Sequence, residues 1–134
     1  MRSLDMDGPF PLTRAEIERV VQDALPGNFA LGRMTKDKRF QVRFVGRDDT
    51  DVREGLLSSL GGADQTGLFK RMFGGGSDDS NCFKFSYSQE PVAAYQKHCR
   101  TYHGFNKNGS LKNREHPKPP PGVAGLKCPV CGEK

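Results

Sequence analysis

The chain has 134 residues, 34% of them hydrophobic, and a mean hydropathy of −0.69. That length fits one domain with a modest core, and no apolar run is long enough to cross a bilayer, so a cytoplasmic protein with no membrane partner is expected. The net charge of +5 is uneven: residues 1–96 carry 13 Lys and Arg against 14 Asp and Glu, whereas residues 97–134 carry 8 against 2.

Residues 1–12, with Gly8, Pro9 and Pro11, read as a flexible lead-in, and residues 13–134 as a single domain. Thr13 and Glu16 form a capping box, and Ile17, Val20, Val21 and Ala24 follow at helical spacing. Pro26-Gly27 ends that helix. Phe29 to Met34 is expected to be a strand, Lys36-Asp37-Lys38 a turn, and residues 40–46 a second strand in which Phe40, Val42 and Phe44 share a face. Asp51 and Glu54 can cap a second helix carrying Val52, Leu56 and Leu60, with Gly61-Gly62 as its stop.

Residues 61–80 are rich in Gly, Asp and Ser and read as a mobile loop. Their Gly74-Gly75-Gly76 run lacks the Gly-Lys-Ser/Thr ending of a phosphate cradle. Cys82 to Tyr87 is a third strand with Phe83, Phe85 and Tyr87 on one side and Lys84 and Ser86 on the other. Ser88 can cap a last helix that Pro91 opens and Gly104 closes. The sum is a small α+β domain: a three-stranded, mostly antiparallel sheet flanked by helices.

The tail, residues 105–134, is polar and Pro-rich, yet it carries the clearest chemistry in the chain. Cys99 and His103 stand one helical turn apart on one face, and Cys128-Pro129-Val130-Cys131-Gly132 has the turn chemistry of a knuckle. Two donors from a helix and two from a knuckle make a tetrahedral Zn²⁺ site with every position filled by protein, which is structural. His116, before Pro117, is the substitute donor; His98 points away from the Cys99–His103 face. Buried cysteine, a redox pair and disulfides are the plainer readings; the opening residues show no secretory signal, which weighs against disulfides.

The basic excess on the last helix and tail suits a polyanion, nucleic acid above all, with an acidic protein as the other possible partner. Its candidate phosphate contacts are Arg43, Arg47, Arg53, Lys84, Lys97, Arg100, Lys107, Lys112 and Arg114. Tyr95, Tyr102 or Phe105 can stack on bases wherever they are exposed.

Gly27-Asn28-Phe29, then Phe44-Val45-Gly46 leading into Arg47-Asp48-Asp49-Thr50-Asp51-Val52, resemble the two short motifs of the GIY-YIG nuclease superfamily. Phe83–Tyr87, Ala93–His103, Leu111-Lys112-Asn113 and Cys128–Cys131 resemble a branch of it with a Cys/His metal tail, so the likeness covers about residues 27–131. The resemblance implies a phosphodiester-cleaving site built from two tyrosines, an Arg and a Glu that holds a divalent cation. The positions matching that site are Phe29, Phe44, Arg53, His98 and Asn113.

Here both tyrosines are Phe, Gly55 stands where the Arg belongs, and the Glu is Gln96 or His98. A neutral amide or imidazole is a poor ligand for a hard cation, so Mg²⁺ or Mn²⁺ is expected only if catalysis survives. The expected function is therefore a zinc-stabilised nucleic-acid-binding domain with a degenerate active site. The alternatives are a divergent endonuclease, with His98 as a base, and an inhibitory or interaction domain. Asp48, Asp49 and Asp51 can bind a cation or simply favour a helix N-terminus.

Overall fold

The computed structural model describes residues 6–59, 81–106, 111, 113, 116–120, 122 and 125–132. Among these, four strands and three helices follow in the order β1 (Asp7–Pro11), α1 (Arg14–Val20), β2 (Gly27–Met34), β3 (Phe40–Asp48), α2 (Val52–Ser58), β4 (Cys82–Tyr87) and α3 (Pro91–Phe105). The fold is α+β, with one sheet in the spatial order β1-β4-β2-β3 and every pairing antiparallel.

The sheet has four strands where the sequence suggested three, because part of the expected lead-in is β1. Its prolines explain both the misreading and the position. A residue without an N–H cannot serve an interior ladder, and β1 lies at the sheet edge. Asp7 and Phe10 pair with Phe85 and Phe83 across a shifted register. The Phe10 ring packs 5.5 Å from Phe83 and 6.1 Å from Phe85, which anchors a strand of low β-propensity.

The sheet divides the molecule into two faces. On one, α1 and α2 cover a cluster of Ile17, Val21, Phe29, Leu31, Phe44, Val52, Leu56, Phe83 and Phe85. On the other lie Ala30, Val45 and Leu111, flanked by Met6, Phe40, Val42, Tyr102 and Phe105, with α3 against β2 and β3. Alternation along β4 puts Phe83 and Phe85 on the first face and Lys84 on the second, beside Ala30.

Capping follows local chemistry. The Thr13 hydroxyl accepts from the Glu16 N–H at 3.2 Å, as the capping box requires. The Asp51 carboxylate accepts from the Arg53 N–H at 3.0 Å and starts α2. At α3 the N-cap is Glu90 with Pro91 in the first turn; Ser88 instead donates to the Asn28 amide oxygen at 3.2 Å. Asn28 is fully buried, and its NH₂ donates to the Ala94 carbonyl at 2.9 Å, which ties β2 to α3. The expected helix stop at Gly61-Gly62 and the loop over 61–80 lie outside the described residues.

Candidate metal centre

Four side chains from α3 and the tail converge: His103, His116, Cys128 and Cys131, with donor atoms all within 4.8 Å of one another. A tetrahedron with bonds of about 2.0–2.3 Å has edges of about 3.3–3.8 Å, so a small contraction would seat an ion. Three of the four are residues expected from the spacing. In the compact group His116 stands where the sequence suggested Cys99.

The geometry of His116 explains the exchange. Its Nδ1 lies 2.8 Å from the Pro117 carbonyl, and only Nδ1–H can make that bond. The lone pair is then on Nε2, which faces His103 Nε2 at 3.0 Å and Cys131 Sγ at 3.4 Å. A histidine with its second nitrogen fixed on a carbonyl is oriented for a metal. Tyr102 packs edge-on to both rings, 5.3 Å from His103 and 5.5 Å from His116.

The knuckle folds around Cys128. Gly132 N–H donates to the Cys128 carbonyl at 2.9 Å, with Gly132 at φ 77°, a left-handed conformation suited to glycine. Val130 N–H donates to Cys128 Sγ at 3.4 Å. Burial pushes the Cys128 thiol up, but the backbone N–H groups of Cys131 and Val130, the Cys99 thiol and His116 together pull it down to about 6. These donors favour the thiolate, the form that binds metals.

Cys99 is fully buried in a separate cluster with Tyr95 and Cys128, behind the four donors. Burial drives its thiol up to about 12.

The positions suggested by the nuclease resemblance do not meet at one site. Phe29 and Phe44 are 4% and 2% exposed, with rings stacked 6.3 Å apart, in the core beneath α1 and α2. The glycines of both motifs serve that packing. A Cβ at Gly27 would lie 2.3 Å from the Ser86 carbonyl oxygen, and one at Gly46 would lie 2.6 Å from the Phe29 ring. Arg53 is on α2, while His98 and Asn113 reach Val45 from α3 and the tail.

His98 has both nitrogens engaged. Arg47 donates to Nδ1 at 3.1 Å, so Nε2–H faces the Val45 carbonyl at 3.3 Å. Burial, then the Arg47 charge, holds its pKa at about 3. Asn113 accepts from Val45 N–H at 3.0 Å and donates to Val45 C=O at 2.7 Å, substituting for a neighbouring strand along β3. The acidic run is equally occupied. Asp48 accepts from Thr50 N–H, Thr50 hydroxyl and Asp51 N–H, Asp49 pairs with Arg47 at 2.8 Å, and Asp51 caps α2.

The basic residues separate by role. Arg47, its side chain 10% exposed, binds His98, Asp49 and the Lys118 carbonyl and lies 5.2 Å over the Tyr95 ring. Arg43 and Arg53 are half-buried. Lys84 Nζ lies 5.4 Å over the Phe40 ring, Lys97 Nζ donates to the Ser86 hydroxyl at 2.8 Å, and Arg100, one turn further along α3, is exposed. Lys107, Lys112 and Arg114 lie outside the described residues. Tyr95 is fully buried, and Tyr102 and Phe105 are half-buried against the core, so none is an open stacking platform.

Compared with protein-family models, curated proteins and solved structures, the chain matches none of them. Among the described residues no helix is long and apolar enough to cross a membrane.

Proposed function

We propose that this protein is a nucleic-acid-binding module on a GIY-YIG-like scaffold, held together by a structural zinc ion and without cleavage activity. The hairpin–helix–strand–helix order supports the scaffold. The His₂Cys₂ group supports zinc: imidazole and thiolate donors suit it, and four protein donors leave no position for a reactive water.

The observation that carries the binding role is the basic excess on α3 and the tail. Lys97 and the exposed Arg100 stand about one turn apart on α3, and residues 97–134 hold 8 basic against 2 acidic residues. Phosphate contacts from such a basic segment give affinity with little base readout. The reading without cleavage is supported by the motif positions: the two phenylalanines lie in the buried core, and both His98 nitrogens are engaged.

The test is binding and cleavage of labelled single- and double-stranded DNA and RNA across a salt series, with and without Mg²⁺ or Mn²⁺. For four phosphate contacts, affinity should fall about 100-fold between ~50 and ~200 mM salt, and the substrates should stay intact. Salt-independent or absent binding would sink the proposal. So would cleavage that co-purifies with the protein and disappears in His98→Ala.

A further inference from the structure

The four donors do not account for the inner wall of the metal group. Behind Cys128 lies a closed cluster of Tyr95, Cys99 and Cys128, with Leu126 packed against it. Tyr95 and Cys99 are fully buried and Cys128 is 3% exposed. The Tyr95 hydroxyl is buried beside the Cys99 thiol with no well-formed hydrogen bond. Its ring is held by the Arg47 guanidinium, 5.2 Å above it. An O–H and an S–H thus sit in a buried pocket against the Cys128 sulfur, the acceptor that a bound metal would hold as a thiolate.

We propose that Cys99 and Tyr95 form the outer shell of the metal centre, with the Cys99 S–H donating to the Cys128 thiolate and the Tyr95 O–H donating to the Cys99 sulfur. The inference rests on the metal reading above and assigns to Cys99 a role other than ligand. His103, His116, Cys128 and Cys131 already supply four donors to an ion that takes four. Two thiolates and two imidazoles neutralise a divalent ion. A third thiolate would add an uncompensated charge to the most buried wall of the site, whereas a neutral S–H adds a donor. Outer-shell donors orient ligands and tune the metal, and losing one typically costs about 10–100-fold in affinity.

The experiment loads full-length protein with Co²⁺, whose sulfur-to-metal charge-transfer band counts thiolate ligands, and measures Co²⁺ and Zn²⁺ affinity by chelator competition. Wild type and Cys99→Ala should show equal band intensity per bound metal. In Cys99→Ala the band should move to lower energy and affinity should fall about 10–100-fold; Cys99→Ser, which keeps a donor, should recover most of both. Tyr95→Phe, which removes a donor one step further from the metal, should weaken binding less than Cys99→Ala. His116→Ala should lose a ligand without losing band intensity.

The proposal is overturned if Cys99→Ala loses band intensity in proportion to one thiolate, for Cys99 is then a ligand. It is also overturned if affinity and band energy are unchanged in both Cys99→Ala and Tyr95→Phe. Wild-type protein that binds neither Co²⁺ nor Zn²⁺ would overturn the metal reading, and this inference with it.

Discussion

The two faces of the sheet use the same backbone for different ends. Beneath α1 and α2 the sheet is aromatic and dry: Phe29, Phe44, Phe83 and Phe85 meet Ile17, Val52 and Leu56 with no buried charge among them. Beneath α3 and the tail a smaller apolar cluster around Ala30, Val45 and Leu111 is joined by polar cross-links from Arg47, His98 and Asn113 and by the His₂Cys₂ group. The first face holds chiefly through close apolar packing. The second holds through hydrogen bonds and, in our reading, an ion. A site resembling a nuclease would need groups from both, and the sheet stands between them.

The sharpest way to break this comparison is to damage the aromatic face alone. Phe44→Ala should cost about 3–5 kcal/mol of stability, because it opens a cavity in a core 2% exposed at that point. Metal affinity at the far face should change little. A measured cost under about 1 kcal/mol, or metal loss of the same order as the destabilisation, would contradict the division.

How much of this was legible in the sequence depends on which residues carried the signal. The hairpin, α2 and β4 were clear because the turn residues, the alternation at Phe83–Tyr87 and the Asp51 cap are local signals. The expectation that Phe40, Val42 and Phe44 share a face fails: the β2–β3 register shifts between Leu31 and Gly32, so Phe44 packs on the α1/α2 face and Phe40 and Val42 on the other. β1 was hidden because Pro9 and Pro11 mimic a loop, and only its ring contacts across to β4 mark it as a strand. The knuckle and His103 were legible from spacing. His116 lies 15 residues before Cys131, and its fitness as a donor comes from the Pro117 carbonyl fixing its ring, a fact of three-dimensional geometry. Likewise nothing local says that His98 and Asn113 spend their polar atoms on Val45.

The polar face has its own lever in acid. His98 sits at about 3 in the fold against an ordinary 6.5, so it stays neutral while the unfolded chain takes up a proton. The stabilisation is whole above about pH 6.5 and is lost progressively as the pH falls toward 3. In chelator-treated protein, denaturant midpoints should fall through that window, and His98→Gln should flatten the decline. An equal slope in the two proteins would remove His98 from the account.

A smaller effect separates a retired site from an incomplete one. Phe29→Tyr restores a motif hydroxyl but places it among apolar side chains. It should destabilise by about 1–3 kcal/mol and confer no cleavage. Cleavage gained by Phe29→Tyr with Phe44→Tyr would mean that only the hydroxyls were missing.

The smallest effect on stability should come from Arg100→Glu, since the side chain is exposed and surface changes usually stay within about 0.5 kcal/mol. Its effect on nucleic-acid binding should be plain, with a shallower salt dependence than wild type. Unchanged binding would move the interface away from α3.

The most direct test of the two-face account is amide hydrogen exchange of the zinc-loaded protein before and after a strong chelator. Chelation should speed exchange in residues 116–120 and 126–132 and at the C-terminal end of α3, while the paired amides of β2 and β4 stay protected. Exchange that is unchanged by the chelator, or that rises uniformly through β2 and β4 as well, would contradict it.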